Sequence, residues 1–335
     1  MIKPLPGLRD YPLMTIIEGE TTSTEHGKRP QDRSIEEIMQ KGIINLDKPA
    51  GPTSHEVVKW VKDILDVQKT GQGGTLDPNV TGVLPVATGE GTKGLKAMLE
   101  GGKEYIAVIR FHRKIERKKV QKVIEEFTTK IYQTPPVKSA VKRQRRVREV
   151  YYTEILEFKK RDVLVKIGCE AGTYIRTFAT DIGTALGCGA NMVQLRRTKS
   201  ARFFEEDCCT LHDLKDAYIE YKESGQEEGL RKLVRPMEEM FTHLPRIVVR
   251  DSTVDALCHG ADLALPGILA VSEGISRGDL VCVFSLKDEA VALAAALKSS
   301  VELAKEKKGI GANIKRVLME PGTYPKMWKG GGSNG

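Results

Sequence analysis

The sequence has few aromatic residues, no long apolar run and no C-x-x-C pair of cysteines. Aromatic side chains make up 6% of its 335 residues, which argues against an extended platform on which single-stranded bases stack. The most apolar run, residues 290–297, is too short to span a bilayer. The amino terminus has no continuous apolar core, so no signal peptide is expected. We therefore expect a soluble, intracellular protein.

The six cysteines are scattered, with no C-x-x-C pair and no histidine at ligand spacing. Structural zinc is therefore not expected, and the apolar surroundings indicate buried thiols in a reducing compartment. The net charge of +8 favours a polyanionic partner, although charge concerns association and not fold.

A glycine-rich loop ends in a single acid, Asp77, with Pro78 directly after it. No other acid lies between Asp66 and Glu90, so no neighbour in sequence can share a metal ion with Asp77. Proline holds the preceding residue in an extended conformation, which fixes the direction of the carboxylate. When it is taken alone, such a loop is more often an ordinary turn, because glycine, aspartate and proline dominate turns for local reasons.

Strand-like runs alternate irregularly with short helical patterns, which favours a mixed sheet over a regular parallel one. Capping boxes at Ser34 and Thr53 predict helix starts, and residues 118–130 are predicted to be helical. We predict an α+β fold: a mixed, mainly antiparallel sheet domain followed by a small β-rich domain. The predicted divisions are an extended arm (1–33), a main domain (34–245), a second domain (246–328) and a flexible tail (329–335).

Residues 89–94 match the G-x-G-x-x-G pattern of dinucleotide-binding loops. Only a short segment separates them from Gly101 and Gly102, whereas a dinucleotide site needs a full helix and then a strand. A turn followed by a short helix is the better interpretation. No nucleotide cofactor is expected.

Three further stretches carry candidate functional residues. Arg176 lies at a predicted strand-to-helix junction, and an arginine beside Asp77 would hold that acid ionised, as a carboxylate nucleophile requires. Leu195 is followed by Arg196 and Arg197, two candidates for phosphate contact. A basic run without acids also suits RNA or DNA phosphates; a solvated surface is the alternative. Its members are Lys138, Lys142, Arg143, Arg145, Arg146 and Arg148.

Taken together and in this order, these stretches resemble the TruB family of pseudouridine synthases, and most of all its archaeal H/ACA members. The matching segments are GIINLDKPAGPTSHEVV (42–58), GGTLDPNVTGVLPVA (73–87), KEYIAV (103–108), PPVKSAVKR (135–143), GTYIRT (172–177) and LRRT (195–198). Residues 246–328 resemble a PUA RNA-binding domain, in which His259, Gly260 and Ala261 would contact RNA.

The resemblance implies a catalytic domain of the pseudouridine synthase type that isomerises uridine in RNA. Asp77 would be the nucleophile, Arg176 its partner, and Tyr105 would stack on the flipped base and help remove the C5 proton. Lys48, Pro49, Gln72 and Leu195 would line the substrate pocket. No metal or organic cofactor is implied. The implied partners are an H/ACA guide RNA, substrate RNA and small H/ACA ribonucleoprotein proteins, in a prokaryotic, archaeal cytoplasm.

The chain departs from the family pattern at three positions. Gln72 replaces a histidine, Ala201 replaces a glycine, and Arg145 stands where a leucine is common. Two other functions remain open beside guided pseudouridylation of rRNA and tRNA: a stand-alone tRNA pseudouridine-55 synthase, and a catalytically silent RNA-binding scaffold. The short stretch between Phe111 and Pro135 leaves little room for a loop that grips tRNA, which favours guide dependence.

Overall fold

The computed structural model describes residues 5, 10–135 and 144–326. The helices are α1 Ile35–Gln40, α2 Ser54–Leu65, α3 Leu95–Glu100, α4 Arg117–Glu126, α5 Ile175–Ala185, α6 Leu211–Ser224, α7 Glu228–Leu233, α8 Asp251–Cys258 and α9 Ser300–Lys305. The strands are β1 Leu13–Thr15, β2 Gly42–Lys48, β3 Thr70–Gln72, β4 Thr81–Thr88, β5 Lys103–Phe111, β6 Lys130–Gln133, β7 Arg146–Lys159, β8 Asp162–Cys169, β9 Ala190–Ser200, β10 Phe203–Phe204, β11 Val234–Pro236, β12 Arg246–Val249, β13 Leu263–Ala264, β14 Ile268–Ser272, β15 Leu280–Phe284, β16 Ala290–Ala296 and β17 Ile310–Val317.

The larger sheet has the order β11-β2-β4-β9-β5-β8-β7-β6, with β3 on β4 and β10 on β9. Its pairs are antiparallel except for β4 with β9, which run parallel. The predicted fold class, a mixed and mainly antiparallel sheet with helices, is confirmed.

Two of the apolar cores that cover this sheet determine where the candidate residues lie. In the first, the α2 residues Val57 and Val61 are fully buried beside Leu46 and Leu84 of the sheet, because valines at helical spacing form one apolar face. In the second, Phe178 of α5 is buried with residues of α4, β5 and β8. Tyr105 and Leu195 pack against both cores, which places these side chains where the two halves of the sheet meet.

Local signals in the sequence account for several element boundaries. Ser34 and Thr53 both form complete capping boxes, with Glu37 and Glu56. Residues 89–94 form a 3-10 turn that leads into α3, so the prediction of a turn and a short helix is confirmed. The helix predicted for residues 118–130 ends earlier, at Glu126, because residues 127–129 form a turn that leads into β6 at Lys130.

The smaller sheet has the order β1-β14-β12-β15-β16-β17-β13. Its edge strand β1 comes from the amino-terminal segment, with Leu13 opposite Ser272. The segment then stays on this domain: the Ser23 amide donates to Asp251 Oδ2 at 2.8 Å and the Lys28 amide to Glu289 Oε1 at 3.0 Å. Residues 13–28 are therefore attached to the carboxy-terminal domain, a contact that sequence patterns do not predict.

A buried ion pair lies where the amino-terminal segment and the two domains meet. Arg33 donates to both carboxylate oxygens of Glu238, each at 2.9 Å, and the side chains are 8% and 11% exposed. Glu238 Oε1 also accepts from the Ala290 amide at 3.2 Å. Phe241 of the main domain shares an apolar cluster with Phe284 of the smaller one. Polar and apolar contacts together fix the relative position of the domains.

Ala201 follows β9 in a left-handed backbone conformation, with φ of +52°. A glycine adopts this conformation without steric cost, whereas a Cβ atom costs roughly 1–2 kcal/mol. The Ala201 amide donates to Gly102 O at 2.9 Å, which holds the turn closed. The alanine therefore occupies a backbone conformation that suits glycine.

Candidate active site

The loop that carries Asp77 is tied down on both sides. Upstream, the Gly73 amide donates to Pro85 O at 2.8 Å. Next to the acid, the Ser54 hydroxyl exchanges hydrogen bonds with the amide and carbonyl of Leu76, both at 2.9 Å. Val80 N donates to the Asp77 carbonyl at 3.0 Å. These contacts hold the backbone, so the position of the carboxylate is set by the fold.

Arg176 meets Asp77 across 99 residues of sequence. Its Nη2 donates to Asp77 Oδ2 at 2.5 Å, and the two side chains are 52% and 59% exposed. Arg176 is the second residue of α5, directly after the strand β8 and the turn at Gly172. The expected pairing is present, and it leaves the carboxylate open to a ligand from solvent.

Lys48, which was expected to line the pocket together with Pro49, is fully buried, so its side chain is not exposed to a substrate. Its ammonium donates to the carbonyls of Pro49 at 2.8 Å, Pro78 at 2.9 Å and Val80 at 3.1 Å. Burial lowers the pKa of Lys48, and the charge of Asp77 opposes that shift. The ammonium thus connects the segment that follows Asp77 to the turn at Pro49 by hydrogen bonds. Pro49 itself is exposed.

Tyr105 lies on β5 opposite Ile167 of β8 and Arg197 of β9. Burial raises the pKa of its phenol; the charge of Arg197 counteracts this shift and that of Asp77 adds to it. The phenol is therefore neutral at physiological pH and lies within electrostatic reach of Asp77. Leu195 is on the neighbouring strand, opposite Ala107.

Arg197 is buried, contrary to the expected phosphate contact. Only 2% of the residue is exposed, and its guanidinium donates to Val83 O at 2.7 Å and to Gly74 O at 3.1 Å. Gly74 has φ of +124°, a conformation that favours glycine. The arginine therefore supports the glycine-rich loop from behind and is inaccessible to an RNA backbone.

Lys103 is a third buried cation behind this loop, and sequence reasoning missed it. Its ammonium donates to Met98 O at 2.9 Å and Gly101 O at 2.7 Å. Burial lowers the pKa of Lys103 to about 7, and the charge of Arg197 acts in the same direction. The only sequence signal was its place two residues before Tyr105.

Gln72 ends β3 and its amide Nε2 donates to Thr75 Oγ1 at 2.9 Å. Its carbonyl oxygen Oε1 is buried and has no hydrogen-bond partner within the described part of the chain. An unpaired buried acceptor costs about 1–3 kcal/mol. The glutamine is thus held on the Asp77 loop in a conformation that leaves one polar atom unsatisfied.

Three members of the predicted basic run lie in the described structure. Arg146 is exposed on β7, whereas Arg145 stacks on Tyr132 with 4.5 Å to the ring centroid. Arg148 bonds to Glu170 at 3.1 Å, which compensates its charge. Lys138, Lys142 and Arg143 lie outside the described residues.

The remaining RNA-binding candidates differ in availability. Arg196 bonds to both carboxylate oxygens of Asp47, at 3.0 and 2.9 Å, and also to Glu205, so its charge is neutralised. His259 and the two residues after it, Gly260 and Ala261, form an exposed turn at the end of α8. This turn is accessible to a ligand.

The described residues contain no cluster of three or more histidine, cysteine or acidic side chains that could hold a metal ion. In the same part of the chain, no helix is long and apolar enough to cross a membrane. A solvent-accessible carboxylate on a braced loop, paired with one arginine and backed by buried cations, is suited to nucleophilic catalysis.

Four family models match the chain in sequence order. They describe a DKCLD (NUC011) domain at residues 3–58, the amino-terminal domain of TruB family pseudouridylate synthase at 62–175, the carboxy-terminal domain of tRNA pseudouridylate synthase B at 176–242, and a PUA domain at 245–318.

Known proteins resemble the chain over nearly its full length. A probable tRNA pseudouridine synthase B of Methanopyrus kandleri is 54% identical over 97% of this chain and 96% of its own. A structure described as a Cbf5-Nop10-Gar1 complex matches with 49% identity and a TM-score of 0.92, over 97% of this chain and 99% of the matched one. An H/ACA ribonucleoprotein bound to a substrate RNA containing 2'-deoxyuridine matches with 47% identity and a TM-score of 0.90, over 97% and 100% of the two chains. The chain is an RNA-modifying isomerase of the pseudouridine synthase class, and it belongs to the TruB family.

Proposed function

We propose that Asp77 is the nucleophile with which this pseudouridine synthase isomerises uridine. The supporting observation is the Asp77–Arg176 pair, an accessible carboxylate held 2.5 Å from a guanidinium. The guanidinium donates to Asp77 Oδ2 and so fixes the orientation of the carboxylate. An ionised carboxylate can attack the nucleotide without a separate base.

The reaction rearranges atoms of the substrate without net gain or loss. In this scheme the Asp77 carboxylate attacks C1′ of the ribose and forms an ester bond as the bond between C1′ and N1 of uracil breaks. The base rotates, C5 attacks C1′ and displaces Asp77 as a free carboxylate, the C5 proton leaves, and N1 takes up a proton. In the same scheme Tyr105 contacts the base and assists removal of the C5 proton. A base inside a helix is out of reach, so the target nucleotide must be flipped out first.

The buried residues Lys48, Arg197 and Lys103 act as positioning residues in this scheme. Each donates to backbone carbonyls of the Asp77 loop or of the segments beside it. Because reaction rates fall steeply when reacting atoms are misplaced, a rigid loop supports catalysis. Pro49, Gln72 and Leu195 remain proposed lining residues of the substrate pocket.

An H/ACA guide RNA is the proposed source of target choice. Two solved structures that are similar over nearly the whole length are a Cbf5-Nop10-Gar1 complex and an H/ACA ribonucleoprotein bound to a substrate RNA. By analogy, small H/ACA proteins and guide RNA are the partners of this chain, and rRNA and tRNA its targets. We place it in an archaeal cytoplasm, since the similar proteins include that of Methanopyrus kandleri.

A stand-alone tRNA activity is the second candidate, because similar curated proteins are named probable tRNA pseudouridine synthase B. Between β5 and β6, however, the structure contains only α4 and short connections. That stretch offers no large insertion for gripping tRNA.

Tritium release from RNA labelled at uridine C5 tests both proposals. Wild-type protein is expected to release tritium with a matching guide RNA and partner proteins, and the Asp77→Asn variant to release none. Asp63→Asn, which removes an exposed carboxylate on α2, is the control and should retain activity. Release by the Asp77 variant would refute the nucleophile assignment. Equal release from tRNA without guide or partners would favour the stand-alone function.

A further inference from the structure

A second basic surface lies at the end of the large sheet that is remote from Asp77. It combines the connection from β5 into α4 with the turn between β7 and β8. Its members, here called the distal basic surface, are Lys114, Arg117, Lys118, Lys159, Lys160 and Arg161, all exposed.

Backbone contacts bring the two segments together. The Phe111 amide, at the end of β5, donates to Arg161 O at 2.9 Å. At the other end of α4, Thr128 Oγ1 lies 2.7 Å from Thr153 Oγ1 of β7. Since α4 packs on β7 and shares a core with Phe158, the helix runs back along the strand. Its first turn at Arg117 therefore lies beside the turn that begins at Lys159.

The nearby carboxylates do not neutralise this surface. Asp162 pairs with Arg110 at 2.7 Å and Glu116 with Lys119 at 3.8 Å, and neither Arg110 nor Lys119 belongs to the set of six. The hydrogen bond from Arg110 lowers the pKa of Asp162 most, and the charge of Arg161 adds a smaller effect. Glu157 is exposed two residues before Lys159 and removes one unit of net charge. Within the described residues, none of the six forms an ion pair, so the surface carries a marked positive excess.

These charges do not stabilise the elements that bear them. Cations in the first turn of a helix are opposed by the helix dipole, and like charges close together repel one another. Arg117 and Lys118 both lie in the first turn of α4. A structural role thus fails to explain their placement, whereas a polyanionic ligand would compensate all six charges at once.

We propose that the distal basic surface binds the phosphate backbone of an RNA stem, as a contact separate from the catalytic site. Tyr105 and Phe111 are six residues apart on β5, which corresponds to about 20 Å at roughly 3.3 Å per residue. A duplex of about six to seven base pairs spans that distance, since the A-form helix of RNA has a shorter rise per step than the 3.4 Å of B-DNA. An RNA with its target uridine at Asp77 therefore has stem phosphates within reach of this surface. This placement of the RNA rests on the proposed function, in which the target uridine lies at Asp77.

Two triple substitutions test the surface, one for each segment. The first is Lys114→Gln with Arg117→Gln and Lys118→Gln. The second is Lys159→Gln with Lys160→Asn and Arg161→Gln, where asparagine suits the left-handed φ of +57° at Lys160. The matched control, Lys215→Gln with Lys222→Gln and Lys232→Gln, removes the same charge from exposed positions on α6 and α7.

The measurement is affinity of the full-length chain for a fluorescent RNA hairpin without target uridine, over a series of salt concentrations. Each lost phosphate contact lowers the slope of log K against log salt by about 0.9. Two lost contacts lower the slope by about 1.8. If the binding constants of the variant and the wild type are equal at 1 M salt, this difference makes the variant bind about 60-fold more weakly at 0.1 M salt. We expect this reduction in both surface variants and a smaller change in the control.

Surface variants that match the control would overturn the proposal. Polyglutamate is the second probe: equal loss of its binding in the surface variants would assign the surface to an acidic protein and also overturn the proposal. Tritium release, measured separately, distinguishes failure of this surface from failure of the catalytic assignment.

Discussion

Replacing Lys48 with methionine tests whether buried cations position the nucleophile. Methionine retains much of the apolar stem but removes an ammonium that donates to three carbonyls, at 2.8, 2.9 and 3.1 Å. Hydrogen bonds to charged groups contribute about 1.5–3 kcal/mol each. Burial of the charge offsets part of that sum, as its lowered pKa indicates. We expect the free energy of unfolding to fall by about 3 kcal/mol, roughly the contribution of one or two such bonds.

The catalytic effect should exceed the effect on binding. The carbonyls of Pro78 and Val80 belong to the segment directly after Asp77, so their release lets the carboxylate shift. A displacement of about 1 Å can reduce the rate about 100-fold. Single-turnover tritium release at saturating RNA measures the rate, and a filter-binding assay measures RNA affinity, which should change little.

Lys59→Met is the control, because Lys59 is exposed on α2. It should leave both the rate and the stability near their wild-type values. A Lys48→Met protein that is folded and reacts at the wild-type rate would refute the positioning role. Equal losses of rate and RNA affinity would point to a general loss of structure instead.

Three further predictions concern buried side chains that can carry a charge. Burial lowers the pKa of His243 from 6.5 to about 4, so the unfolded chain binds its proton first. Stability should therefore fall by about 3 kcal/mol as pH drops from 6.5 to 4, and urea unfolding of His243→Gln should lack this component. Burial lowers the pKa of Lys103 from 10.5 to about 7. Between pH 7 and 10.5 the unfolded chain therefore binds more protons than the folded one, so the free energy of unfolding should rise with pH in that window. Urea unfolding of Lys103→Met should show a flatter dependence in that window. Arg33→Met leaves Glu238 buried without its partner, which should cost about 3–5 kcal/mol in thermal unfolding, whereas the double variant with Glu238→Gln should cost less.

Each of these results has a clear contrary outcome. Identical pH profiles for wild type and His243→Gln, or for wild type and Lys103→Met, would show that these groups do not couple to folding. Additive losses for Arg33→Met and Glu238→Gln would indicate that the two side chains do not act as a pair.

Local chemistry explains why some features were predictable from sequence. The helix starts at Ser34 and Thr53 depend on hydrogen bonds within four residues, so a capping box predicts them. The apolar face of α2 follows from residue spacing. Asp77 was recognised as a directed carboxylate because its glycine-rich loop and the following proline restrict the backbone.

Burial of charged side chains was not predictable in this way. Arg196 and Arg197 are adjacent in sequence, yet one pairs with surface carboxylates and the other is enclosed behind the Asp77 loop. Adjacent residues on a strand point to opposite faces, but the sequence does not show which face is covered. For the same reason, the sequence did not reveal that Lys48 is buried, and it gave no sign that Lys103 lies near the Asp77 loop.

The sequence by itself determined the chemical groups, the local turns and the family of the chain, because these depend on residue identity and short-range geometry. The tertiary structure alone decided which groups meet. It brought Arg176 to Asp77 across 99 residues, attached β1 to the carboxy-terminal sheet and enclosed three cations behind the nucleophile loop. Such long-range contacts arise from sheet order and packing, which no local pattern encodes.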